Sequence, residues 1–158
     1  MKPIASPRET PAPAGDLALE AFLPYRLSVL SNTVSDAIAR LYRDRFGLSI
    51  AEWRCMAVLG RFAPLPAREV ASRTAMDKVQ VSRAIAALRK RGLALQATDT
   101  QDRRRTKLAL SAAGRRMHDE IVPLARDAEA RLVLDLSAED RARLAALLAR
   151  LQRAAASL

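Results

Sequence analysis

Apolar side chains recur at three- and four-residue steps along most of this chain, and the breaks in that rhythm divide it into six helices and one hairpin. Leu23, Leu27, Leu30, Val34, Ile38 and Leu41 predict a first helix from about Leu17 to Arg45. At roughly 40 Å it would be longer than one small domain needs. Pro24 falls in its opening turns, so the regular helix starts there or bends there. Gly47 closes it, and Ser49 with Glu52 has the spacing of a capping box for a second helix that carries Trp53, Met56, Leu59 and Phe62 inward. Pro64-Leu65-Pro66 interrupts the pattern, and Pro66 suits the first turn of a short helix over Ala67–Arg73. Thr74-Ala75-Met76 turns the chain, and Asp77 is placed to cap a fourth helix that runs to Arg91. Val81, Ile85 and Leu88 of that helix point to the core, while Lys78, Val79, Ser82, Arg83 and Ala86 lie on its other side. After Gly92, residues 93–97 read as a strand with Thr106–Leu110 as its return partner. Ser111 opens a long helix to about Val133, with a kink expected at Pro123. Ser137 and Asp140 cap a last helix striped by Leu144, Leu147, Leu148 and Leu151. The fold class is mainly α with a small β hairpin.

Half of the 158 residues are hydrophobic but only 4% are aromatic, which suits an Ala/Leu-rich helical protein with a real core. Lys and Arg number 27 against 17 Asp and Glu, a formal charge of +10. Seven of those surplus charges lie between Arg68 and Lys107, where eleven basic residues meet four acidic ones. Such a concentration points to a polyanion. Double-stranded DNA fits better than a membrane, because the charge is not laid along one amphipathic stripe. No apolar run approaches the ~18 residues that would span a bilayer. The N-terminus lacks the charged-then-apolar pattern of a signal. The single cysteine, Cys55, leaves no internal disulfide and fits a reducing cytoplasm. Residues 1–16 hold four of the eight prolines and little to bury, so a flexible arm is expected there.

The chemistry concentrates in Asp77–Gly114. A helix with short polar side chains and an arginine near its N-terminal end can enter a DNA major groove. The hairpin beside it is tipped by Asp102-Arg103-Arg104-Arg105 and can reach the backbone or minor groove. The two in tandem read as a winged helix-turn-helix. Lys78, Val79, Gln80, Ser82 and Arg83 are the expected contacts from the helix, and Arg103, Arg104 and Arg105 from the hairpin. Gln80 and Arg83 are the candidates for base edges, since Gln can read adenine and Arg guanine. Arg89, Lys90 and Arg91 suit either phosphate contact or the negative end of the helix dipole.

Two stretches carry a family resemblance. Asp102-Arg103-Arg104 followed by Leu108-Ala109-Leu110-Ser111-Ala112-Ala113-Gly114 resembles the wing signature of the MarR family of bacterial transcription regulators. Asp77-Lys78 with Val81-Ser82-Arg83, then Leu88 through Gly92-Leu93, resembles its recognition helix. The resemblance implies that Arg104 enters the minor groove and that Asp102 orients the wing by pairing with an arginine. It implies a homodimer whose helices of about 17–46 and 111–158 interlock around a winged helix-turn-helix lobe of about 48–110. It also implies a small aromatic or anionic effector bound between dimer helices and DNA-binding lobe. Tyr25, Arg26, Trp53 and Arg54 are the candidates to line that site, an arginine gripping a carboxylate and a ring stacking on it. Relatives that sense oxidants place their cysteine near the start of the first helix, where this chain has Phe22-Leu23-Pro24-Tyr25, so Cys55 is expected to be a buried, inert thiol.

Other chemistries lack their parts. His118 is the only histidine and no CxxC accompanies it, so no metal site is expected. No nucleophile–base pair or phosphate-cradling glycine loop is present, which argues against an enzyme and against a cofactor. The expected function is a cytoplasmic, sequence-specific DNA-binding regulator. It would be a homodimeric repressor of a pseudo-palindromic operator, released by an effector. The alternative is an architectural DNA binder indifferent to sequence.

Overall fold

The computed structural model describes residues 17–98 and 106–158. Among them the chain forms α1 (Leu23–Phe46), α2 (Ile50–Phe62), α3 (Ala67–Thr74), α4 (Lys78–Lys90), β1 (Ala94–Thr98), β2 (Thr106–Leu110), α5 (Ala112–Leu132) and α6 (Ala138–Ala155). Two compact units meet in the chain between Ala37 and Ile38.

The caps anticipated from sequence set the helix starts. The Ser49 hydroxyl accepts from the Glu52 N–H at 3.2 Å while the Glu52 carboxylate accepts from the Ser49 N–H at 2.7 Å. Ser137 and Asp140 form the same reciprocal box ahead of α6. Gly47 and Gly92 sit at positive φ, 63° and 69°, where a side chain would be strained; the Leu93 N–H reaches back to the Leu88 carbonyl at 2.8 Å and completes the turn. Ala75 adopts the same left-handed backbone, φ 52°, between α3 and α4.

The core of the second unit is sealed by Cys55, Met56 and Leu59 of α2, Val70 of α3, Val81, Ala84, Ile85 and Leu88 of α4, and Leu108 of β2. Ala39 and Tyr42 close it from α1 and Ile121 from α5. β1 and β2 pair antiparallel from Ala94↔Leu110 to Thr98↔Thr106. Leu65 adds an edge that the sequence pattern did not disclose. Its N–H bonds the Leu108 carbonyl at 3.1 Å and its carbonyl accepts from the Leu108 N–H at 2.7 Å. The Pro64-Leu65-Pro66 interruption is therefore a bridge as well as a break. α5 approaches the end of α4 closely: Ser111 Oγ donates to the Gly92 carbonyl at 2.6 Å, and a Cβ on Gly114 would collide with the Leu93 carbonyl oxygen.

Three readings need correction. α1 begins at Leu23, not Leu17; residues 18–22 form turns in which the Phe22 N–H bonds the Ala18 carbonyl. Pro24, which cannot donate to a preceding carbonyl, fits the first helical turn and not its interior. Phe62 is 43% exposed, not inward, and its ring is covered instead by the guanidinium of Arg73, 4.2 Å from the centroid. Trp53 is only half-buried. It lies between Tyr42 and His118, with ring centroids 5.6 and 6.0 Å away. The long helix expected from Ser111 to about Val133 is α5, Ala112–Leu132, with Pro123 inside it as anticipated.

Candidate nucleic-acid interface

The Asp77 carboxylate accepts from the Gln80 N–H at 2.8 Å, which fixes where α4 begins and so which side chains occupy its first turn. Burial of Val81, Ala84, Ile85 and Leu88 on one side then sets the opposite side outward. Lys78, Val79, Gln80, Ser82 and Arg83 are all exposed, as is Ala86 one turn further on. All five residues expected from this helix are therefore brought together on its open face.

Two grooves flank that face. One, of about 450 Å³, runs between α4, α3 and the hairpin strands, and its lining includes Arg68, Lys78, Ser82, Arg89, Gln96 and Thr106 over a floor with Val81, Ile85 and Leu108. Among the described residues three cations and no carboxylate line it, so it can attract an anion. The other, about 340 Å³, separates Gln80, Arg83 and Ala87 from Ser49, Ala51 and Glu52 at the start of α2. Sequence reasoning passed over Arg68, Gln96 and Thr106. The signal for Arg68 was present in its charge, but its approach to α4 depends on how α3 crosses that helix, which periodicity does not disclose.

Arg91 resolves to a structural role. Its guanidinium donates to the Phe46 carbonyl at 2.7 Å and the Gly47 carbonyl at 2.9 Å, joining the end of α4 to the end of α1. Arg115 holds α5 to α2 in the same way, through the Gly60 carbonyl at 2.7 Å. Asp102, Arg103, Arg104 and Arg105 lie outside the described residues.

Of the residues proposed for an effector site, Tyr25 and Arg26 are exposed on the first turn of α1. Trp53 stands in its aromatic stack and Arg54 is half-buried beside it on α2. Cys55 is fully buried, and desolvation, with the Glu52 carboxylate adding to it, pushes its thiol up to about 11. His118 Nδ1 lies 2.8 Å from the Asp119 carboxylate. Among the described residues no group of three or more histidine, cysteine or acidic side chains could hold a metal ion, and no helix is long and apolar enough to cross a membrane.

Residues 46–105 match the sequence pattern of the MarR family. No curated protein matches the chain in sequence. Solved structures do. A probable transcriptional regulator from Pseudomonas aeruginosa is 30% identical over 84% of this chain and 98% of its own, with a TM-score of 0.67. A MarR-family transcriptional regulator from Silicibacter pomeroyi is 25% identical over 85% of this chain and 90% of its own, with a TM-score of 0.73. Bordetella bronchiseptica BpsR, whose DNA binding is regulated by 6-hydroxynicotinic acid, shares the fold at 22% identity and a TM-score of 0.76, over 87% of this chain and 98% of its own.

Proposed function

This chain belongs to the MarR family of winged-helix transcriptional regulators, and from that premise we propose that it is a homodimeric, sequence-specific DNA-binding repressor released by a small aromatic or anionic effector. The observation that carries the reading is the open face of α4, with Lys78, Val79, Gln80, Ser82 and Arg83 exposed beside a groove edged by the cations Arg68 and Arg89. In this reading α4 enters the major groove. Arg68, Lys78 and Arg89 meet the phosphate backbone, and Gln80 and Arg83 reach base edges. Arg104 enters the minor groove, Arg103 and Arg105 meet phosphates, and Asp102 orients the wing through an arginine.

Dimerisation is supported by apolar surface that a single chain leaves open. Leu144, Leu147, Leu148 and Leu151 of α6 are 37–46% exposed, and Leu17, Leu19, Phe22, Leu23, Tyr25, Leu27, Val29 and Leu30 are exposed in the first unit. A two-fold axis would present two α4 helices to major grooves about 34–36 Å apart, which calls for a pseudo-palindromic operator. An effector acts only if it binds the DNA-compatible and DNA-incompatible dimers with different affinities. Tyr25, Arg26, Trp53 and Arg54 remain the proposed lining for it, and the ligand response of BpsR supports looking for an aromatic acid. Such a protein works in the cytoplasm, where the DNA is.

The reading is tested with an operator selected from random duplexes. Arg104→Ala is expected to weaken binding about tenfold or more at physiological salt while the dimer persists in sedimentation. Unchanged affinity would falsify the minor-groove role.

A further inference from the structure

We propose that Val79 reads the 5-methyl group of thymine, so that part of the operator's sequence preference rests on an apolar contact. The inference depends on the reading of α4 as the helix that enters the major groove. Its own support is positional. At 100° per residue, the direction opposite the buried quartet Val81, Ala84, Ile85 and Leu88 is occupied by Val79, Arg83, Ala86 and Lys90, of which Val79 lies in the first turn. Lys78, Ser82 and Arg89 turn toward α3 and the hairpin, and Gln80 and Ala87 toward the start of α2. Those flanking side chains are placed for backbone contacts or for the outer base pairs. The crest of the first turn, the part of a recognition helix that meets base edges, is held by a valine.

Val79 is 58% exposed, more than any other large hydrophobic residue described between Ile38 and Leu110. It takes no part in the core. A β-branched residue at an exposed helical position also gives up helix propensity relative to Ala or Lys. Neither packing nor helix formation accounts for it. Beside it, Ala71, Ala75 and Met76 line an open depression at the α3–α4 turn together with Arg68, Ser72, Asp77 and Lys78, so Val79 has apolar as well as charged neighbours. Among the four DNA bases only thymine presents a methyl group in the major groove. A branched aliphatic side chain has no donor or acceptor to satisfy there, so a methyl is the feature it can distinguish.

The test replaces each thymine of a selected operator by uracil, which removes the methyl and leaves base pairing intact. At one or two positions per half-site the substitution is expected to weaken wild-type binding about three- to tenfold, the scale of one buried methyl. Val79→Ala should bind the thymine and uracil duplexes within about twofold of each other and keep the wild-type salt dependence, since no phosphate contact is lost. Val79→Thr, which retains one branch methyl, should keep part of the discrimination. Wild type that binds every uracil duplex as tightly as the parent, while still preferring the operator over unrelated DNA, overturns the role of Val79 and leaves the regulator reading standing. Wild type with no preference among sequences overturns both.

Discussion

Leu88 and Leu148 are the same residue type on apolar stripes of similar rhythm, yet Leu88 is fully buried and Leu148 is 42% exposed. α4 seals four side chains against α2, α3 and the hairpin, whereas α6 has no buried residue at all. An apolar stripe announces that a face must be covered, but not by what. In the winged lobe the cover comes from the same chain. For α6 no described residue of the chain supplies it, and the proposed second copy would.

That contrast can be broken in four places. The largest effect is expected from Leu147→Glu with Leu148→Glu. If the proposed dimer joins through α6, charges at two exposed stripe positions should convert it to monomer in sedimentation velocity and lower operator affinity at least tenfold as the two half-sites become unlinked. A wild-type sedimentation profile would mean that α6 is not the joining surface. Leu88→Ala should then cost about 2–5 kcal/mol in denaturant unfolding through loss of burial and a residual cavity, and the loss should not depend on protein concentration. A cost below about 1 kcal/mol would place Leu88 outside the sealed core.

Arg91→Ala comes next. Removing donors to the Phe46 and Gly47 carbonyls, which lie at the surface, should cost about 1–2 kcal/mol, with Arg91→Lys recovering part of it. The smallest effect concerns Cys55. With its thiol pushed up to about 11, the native protein should resist a thiol reagent at pH 8, and labelling should appear only on unfolding. The sign of the linkage follows: the folded state keeps its proton to higher pH than the unfolded state, so this contribution to stability is full below pH 9 and declines between pH 9 and about 11. Rapid labelling at pH 8 would contradict the burial.

Most element boundaries were legible because local chemistry sets them. Ser49, Asp77, Ser111 and Ser137 each bond the N–H three residues on, and such caps can be read from spacing alone. The open face of α4 was legible from periodicity: Val81, Ile85 and Leu88 define the opposite side, and the structure adds Ala84 to them. Long-range geometry was not. The bridge of Leu65 to Leu108, the bond from Arg91 to the end of α1 and the approach of Arg68 to α4 all depend on how elements cross. Phe62 failed because the apolar stripe of α2 outruns the core by one turn, and a cation fills the role that a hydrophobic neighbour was expected to play.

The claim on which the rest depends is that the face of α4 and the charged hairpin together distinguish one DNA sequence from others. Competition of a selected operator duplex against bulk genomic DNA at physiological salt measures it most directly. The account predicts that the operator is retained by a factor of at least ~10³. Preference within about tenfold of bulk DNA, or no binding to any duplex, would contradict it.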